Sequence, residues 1–240
     1  MRVSWSIHGA GLVAAAGYLA LAAVSVSRGP VLLGLGMATV VGWAALGLVW
    51  KKAAGATAAI LGWAMVFRLL GLCVVPTWED DYHRYLWDGY QLVTTGNPYA
   101  EAPEAAFARD DLPEAMRDAL DGINHPELPT IYGPAAQLIF GVAAWLAPGG
   151  LGLLKALLVA IELAGWWALR RWLPPQGWLL ALWCPLAVIE LAFAGHPEAL
   201  GVGVIAMALA ADRRGRGGRA AAWLGVAVAT KALAWVVVPF

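Results

Sequence analysis

Apolar residues arrive in unbroken runs, and this pattern leaves few folds open. The runs cover 8–27, 31–50, 56–75, 135–147, 151–169, 177–194, 199–211 and 220–240. A hydrocarbon slab about 30 Å thick takes roughly 20 helical residues to cross. Inside it, only helices and closed barrels satisfy their own backbones. The runs are rich in Ala, Leu and Gly and lack the period-two alternation of barrel strands. The expected fold is therefore all-α, a polytopic transmembrane helix bundle of about seven to eight apolar segments. The balance agrees: 61% of residues are apolar and 13% charged, against about half and a quarter in soluble domains. Arg2 precedes the first run, but that run continues to Ser27 and another follows, so a membrane anchor fits better than a cleaved signal.

One polar segment interrupts the runs. Residues 76–131 hold twelve of the sixteen carboxylates and three of the sixteen Lys and Arg residues. The whole of 1–240 is expected to form one membrane domain. It would comprise three N-terminal spans within 8–75, the acidic loop over 76–131, and the remaining helices over 132–240. Lys51 and Lys52 close the second run and should be cytoplasmic, so the third run delivers the acidic loop to the outer face. The basic stretch Arg213 to Arg219 is also expected inside, which puts His196 outside. Three runs then lie between 132 and 195 where an even number must cross. Either the 134–147 run is a half-span, or the run broken at Pro185 dips in and returns; the proline favours the second.

The loop has its own order. Tyr82, Tyr85, Leu86, Tyr90 and Val93 fall near helical spacing, which predicts an amphipathic helix over 81–94 at the interface. Gly96-Asn97-Pro98-Tyr99 ends it with turn chemistry. A second short helix is expected over 111–121. The stretch from Asn124 to Pro134 leads back into the membrane, with Pro134 in the first turn of the next helix.

The chemistry concentrates in the string Glu79-Asp80-Asp81-Tyr82-His83-Arg84-Tyr85-Leu86-Trp87-Asp88-Gly89. Adjacent acids repel, so such a cluster suits a bound cation or a shared proton. Asp80 or Asp81 could take the proton of an acceptor hydroxyl, or hold a divalent cation such as Mg2+ or Mn2+, and Glu79 could help in either task. Arg84 lies one turn beyond and could grip a phosphate or simply pair with an acid. Trp87 reads as an interfacial anchor in preference to a sugar platform. His125 and His196 are expected on the same face as the acids, and Glu198 could complement a helix dipole. Tyr132-Gly133-Pro134 reads as a rigid helix entry. Arg68, Glu190 and Lys231 are charges inside apolar runs, a pattern that marks function or snorkelling. Cys73 and Cys184 lie in apolar runs and read as small buried hydrophobes.

Taken in order, that acidic string, Gly96-Asn97-Pro98-Tyr99, Asn124-His125-Pro126, Thr130-Ile131-Tyr132-Gly133-Pro134, Gly195-His196-Pro197-Glu198 and Thr230-Lys231 resemble the GT-C integral-membrane glycosyltransferases. The nearest branch is the polyprenyl-phosphate-sugar-dependent, mannosyltransferase-like one, and the resemblance covers about residues 55–240. It implies transfer of a hexose such as mannose from a polyprenyl-phosphate donor, with the active site on the extracytoplasmic face of a bacterial inner membrane. It places the catalytic acids at Asp80 and Asp81. Candidate substrate contacts are Glu79, Arg84, Asp88, His125, Tyr132, His196, Glu198 and Lys231. The family commonly has proline where this chain has Gly133 and aspartate where it has Glu198. It is also longer at the C-terminus, so a partner chain completing the bundle is a further expectation. Beside the donor, the expected partner is the bilayer; a net charge of zero gives no electrostatic case for nucleic acid. Two rival readings stand: a transporter or lipid carrier using Arg68, Glu190 and Lys231, and a non-catalytic scaffold of the same fold.

Overall fold

The structure, a computed structural model, describes residues 2–27 and 29–231, with side chains from Ser6 onward. Every regular element among them is helical. In chain order they are α1 (Arg2–Ser27), α2 (Val31–Val49), α3 (Thr57–Leu72), α4 (Asp81–Thr95), α5 (Glu114–Asp121), α6 (Pro134–Leu146), α7 (Leu151–Ala168), α8 (Pro175–Trp183), α9 (Pro185–Ala194), α10 (Glu198–Asp212) and α11 (Gly217–Val228). The expected loop helices are both present, as α4 and α5. Arg28 and the end of the expected 220–240 span, from residue 232, lie outside the described residues.

Three of these stretches are long and apolar enough to cross a bilayer: Ser6–Ser27, Val31–Lys52 and Leu151–Ala168. α8 and α9 together would make a fourth, bent by 41° at Pro185. A bend of that kind occurs in a broken span or in a re-entrant loop. The proline removes one helical hydrogen bond, and Val188–Ala194 then winds as a π-helix. α3 and α6, with 16 and 13 residues, are apolar but shorter. α2 shows why water is the wrong solvent. Its buried positions are mostly small, Gly34, Ala38, Gly42 and Ala45, while Leu32, Val40 and Leu48 are 84%, 69% and 70% exposed. Small residues inside and large apolar residues outside is the arrangement of helices packed in lipid.

Contacts divide the chain into two compact units. The first comprises residues 1–78 and 170–194. Its core is an aromatic cluster in which Phe67 lies 5.1 Å from Tyr18 and 5.2 Å from Trp183, ring centre to ring centre. Arg68 does not snorkel to the interface. It is buried, and its guanidinium donates to the Leu182 carbonyl at 3.0 Å and to the Ala64 carbonyl at 3.3 Å.

The second unit comprises residues 79–169 and those from Gly195 on. α4 lies against α6, where Gly89 meets the Phe140 backbone so closely that a Cβ would not fit. α10 packs between α7 and α11, with Gly165 and Gly203 in direct backbone contact across the first of these pairs. Trp87, expected as an interfacial anchor, is buried in protein. The amphipathic helix packs onto α6 and α5.

Candidate active site

The start of α4 is shaped by its own first residues. One Glu79 oxygen accepts the backbone N–H groups of Asp80 and Asp81 at 3.2 and 3.1 Å, which caps the helix from one residue upstream. Asp81 is thereby held half-buried, while Asp80 stays exposed. The other end closes at Gly96, whose φ of 75° favours glycine.

Asp81 has two donors from different directions. Its Oδ2 accepts the Tyr132 hydroxyl at 3.2 Å and the Tyr85 hydroxyl at 3.4 Å. Both tyrosines are packed against each other and against Phe140, with ring centres 5.0 to 5.7 Å apart. Burial pushes both phenols up, and the Asp81 charge adds to it, so they stay protonated and donate. Asp81 also lines a pocket of about 140 Å³ with Arg84, Asn124, His125, Leu128, Pro129, Ile131 and Tyr132.

Arg84 builds the wall of that pocket. Its two terminal nitrogens donate to the carbonyls of Leu128 and His125, each at 2.9 Å. His125 is exposed, has a φ of 55°, and pairs through Nδ1 with Glu127 at 3.2 Å. One turn deeper, Asp88 is fully buried. Its Oδ2 accepts the Thr130 hydroxyl and the Gln137 amide, the latter at 2.9 Å. Burial raises the Asp88 carboxyl to about 6 against those two bonds. α4 thus pins the return segment 125–132 at two levels.

His196 comes to the same end of the unit from another part of the chain. Its Nε2 sits 3.2 Å from the second Glu79 oxygen. Glu198, at the start of α10, forms an ion pair with Lys231. Lys231 is placed by the preceding turn, because Gly133 donates to the Thr230 carbonyl at 3.2 Å and Ala135 to the Ala229 carbonyl at 2.9 Å.

Of the residues singled out in the sequence, the structure gathers Glu79, Asp81 and His196 in one cluster, and Asp81, Arg84, His125 and Tyr132 around one pocket. Asp80 and Asp88 join neither group. Thr130 stands in the sequence only as part of a motif string and Gln137 in none, yet both are partners of Asp88. Gln137 carried a signal, being the one amide inside the 135–147 run. Lys155 and Glu162, both fully buried on α7, are further residues not singled out from the sequence. These are charges inside an apolar run spaced seven apart, hence on one helical face. The Glu162 carboxylate accepts the Trp166 indole N–H at 3.1 Å, and the Lys155 stem lies against Gly195.

Comparison with known proteins adds the decisive observation. Residues 5–240 match the family described as alpha-(1->6)-mannopyranosyltransferase, N-terminal domain. The chain belongs to that family. No curated protein and no solved structure matches it. The family is one of mannosyltransferases, so the expectation of a membrane glycosyltransferase holds at that level.

Proposed function

We propose that this chain carries the site at which mannose passes from a polyprenyl-phosphate donor to an acceptor hydroxyl, at the extracytoplasmic face of a bacterial inner membrane. The family description names an alpha-(1->6) linkage, which fits the primary C6 hydroxyl of a sugar as the acceptor. In this GT-C-like reading the acceptor oxygen bonds to the anomeric carbon of the donor. The bond from that carbon to the phosphate oxygen breaks, and the electron pair leaves with the polyprenyl phosphate. The acceptor proton passes to Asp81.

The observation that carries the assignment is the placing of Asp81. It lines the pocket while two tyrosine hydroxyls orient one of its oxygens, as a general base must be oriented. Exposed Leu128 and Ile131 on the same pocket offer apolar surface to a lipid-borne donor. Arg84 is engaged with carbonyls and reads as a positioning residue for the pocket wall. The phosphate contact falls to Lys231, partly exposed and placed next to the Tyr132 segment through the Thr230 carbonyl.

Sugar transfer from polyprenyl-phosphate mannose tests this. Asp81→Asn is expected to slow transfer by at least about 100-fold, the usual worth of a general base, with unchanged elution of the folded protein in detergent. Full activity in a chain carrying both Asp80→Asn and Asp81→Asn would sink the reading.

A further inference from the structure

Tyr132 is held at three points, and only one of them is its hydroxyl. Its N–H donates to the Thr130 hydroxyl oxygen at 3.3 Å, and its carbonyl accepts the Tyr99 hydroxyl at 3.0 Å. Its own hydroxyl donates to Asp81 Oδ2 at 3.2 Å. A tyrosine side chain has a rigid ring and two torsions. With the ring packed against Tyr85 and Phe140, the hydroxyl goes where the backbone of Tyr132 sends it.

Both backbone anchors are built from residues to which the transfer reaction gives no direct part. Behind Tyr99 stands Asn97, whose side-chain oxygen accepts the Tyr99 N–H at 3.0 Å and fixes the turn after α4. Burial pushes the Tyr99 phenol up and the Asp88 charge adds to it, so the hydroxyl keeps its proton and donates. The Gly96-Asn97-Pro98-Tyr99 motif thereby has a task beyond ending a helix.

Behind Thr130 stand Asp88 and Gln137. The Gln137 amide nitrogen donates to Asp88 Oδ2 and to Thr130 Oγ1, each at 2.9 Å. The Thr130 hydroxyl has one proton, and it goes to Asp88 Oδ2. Its lone pairs are then left for Gln137 and for the Tyr132 N–H. Asp88 Oδ1 and Gln137 Oε1 are buried without a hydrogen-bond partner, so donors are scarce here and the direction of each bond is fixed. Unpaired buried acceptors are costly, and apolar side chains of the same shape would join the two segments without that penalty. Holding α4 to the return segment does not by itself account for this cluster.

We propose that Asp88, Gln137 and Thr130 on one side, and Asn97 and Tyr99 on the other, are positioning residues that set the backbone of Tyr132 and, through its hydroxyl, the orientation of Asp81. Both tyrosine bonds to Asp81 fall on Oδ2, which leaves Oδ1 to take the acceptor proton. The effect on catalysis rests on the reading of Asp81 as the base. The hold on Tyr132 does not.

The test uses the full chain in detergent. Thr130→Val keeps the shape of the side chain and removes the hydroxyl. It should lower kcat for transfer from polyprenyl-phosphate mannose by about tenfold or more with little change in donor KM, since a shift of about 1 Å in a reacting group can cost about 100-fold. Thr130→Ser, which restores the hydroxyl, should recover most of that loss. In a chain that already carries Tyr132→Phe, Thr130→Val should lower kcat no further, because both changes act through the same bond. A threonine that only supports the fold would give additive losses. A second measurement needs no turnover: the six tyrosines are labelled with 13C at the hydroxyl-bearing carbon. The signal missing from Tyr132→Phe should move in Thr130→Val and return in Thr130→Ser. Tyr99→Phe, at an exposed position, acts on the other anchor and should move the same signal, so misfolding of one variant does not decide the outcome. A Tyr132 signal that stays in place in the folded variants, or additive losses of kcat, overturns the proposal. Full transfer by Asp81→Asn, with a Tyr132 signal that does move, would remove the base reading and keep the hold on Tyr132.

Discussion

Asp88 illustrates how a residue's surroundings can reverse its expected part. Its place in the acidic string suggested contact with substrate. Burial instead makes it an anchor for Thr130 and Gln137. Its carboxyl is raised from 3.8 to about 6, so between those values the folded chain holds a proton that the unfolded chain has lost. Stability is then greatest below about pH 4 and falls as pH rises through about 6, by roughly 3 kcal/mol from this group alone. Asp88→Asn should remove that fall, because an amide oxygen can still accept from both donors and does not ionise. Thermal midpoints of the two proteins in detergent, compared from pH 4 to pH 7, check this; parallel curves would contradict it. Arg84 makes a related point. Its position one turn from Asp80 and Asp81 suggested an ion pair or a phosphate grip, yet carbonyls 41 and 44 residues away hold it. A guanidinium offers five donors, and sequence spacing alone does not say which acceptors fill them.

At the scale of elements, the entry to α6 turns on Gly133. Here its N–H donates to the Thr230 carbonyl, and a Cβ would collide with the Ala229 backbone. The glycine lets the turn after α11 dock directly on the start of α6, which in turn places Lys231. Gly133→Pro should lose that bond and force the turn outward. A loss of about 1–3 kcal/mol is expected, read as a lowered thermal midpoint, with weaker donor binding because Lys231 shifts. An unchanged midpoint would show that the docking contributes nothing. The limits of α4 were close to what its spacing predicted, 81–94 against Asp81–Thr95, because apolar periodicity and a glycine stop act locally. The inward burial of Trp87 was not legible, since an amphipathic face fits lipid and protein equally well.

For the molecule as a whole, membrane placement yields a prediction independent of the site. Acid-rich 76–131 should face outward and the basic stretch 213–219 inward. In a background lacking Cys73 and Cys184, Phe107→Cys should react with an impermeant maleimide in intact cells, and Arg216→Cys only after permeabilisation; both side chains are exposed. Labelling of both from one side would overturn the extracytoplasmic assignment. Much of this architecture was readable in one dimension. Helices, their approximate limits and their affinity for lipid follow from the length and period of apolar runs, and these are properties of neighbouring residues. The site was readable only as a list of residue types. Its contacts join positions 51 residues apart, as in Asp81 and Tyr132, or 117 apart, as in Glu79 and His196. Such pairs depend on how helices pack, on glycines that let backbones touch at 89 and 133, and on which polar groups burial forces together. No local period encodes them, so the folded chain alone separates Asp81 from Asp80 and brings it beside the imidazole.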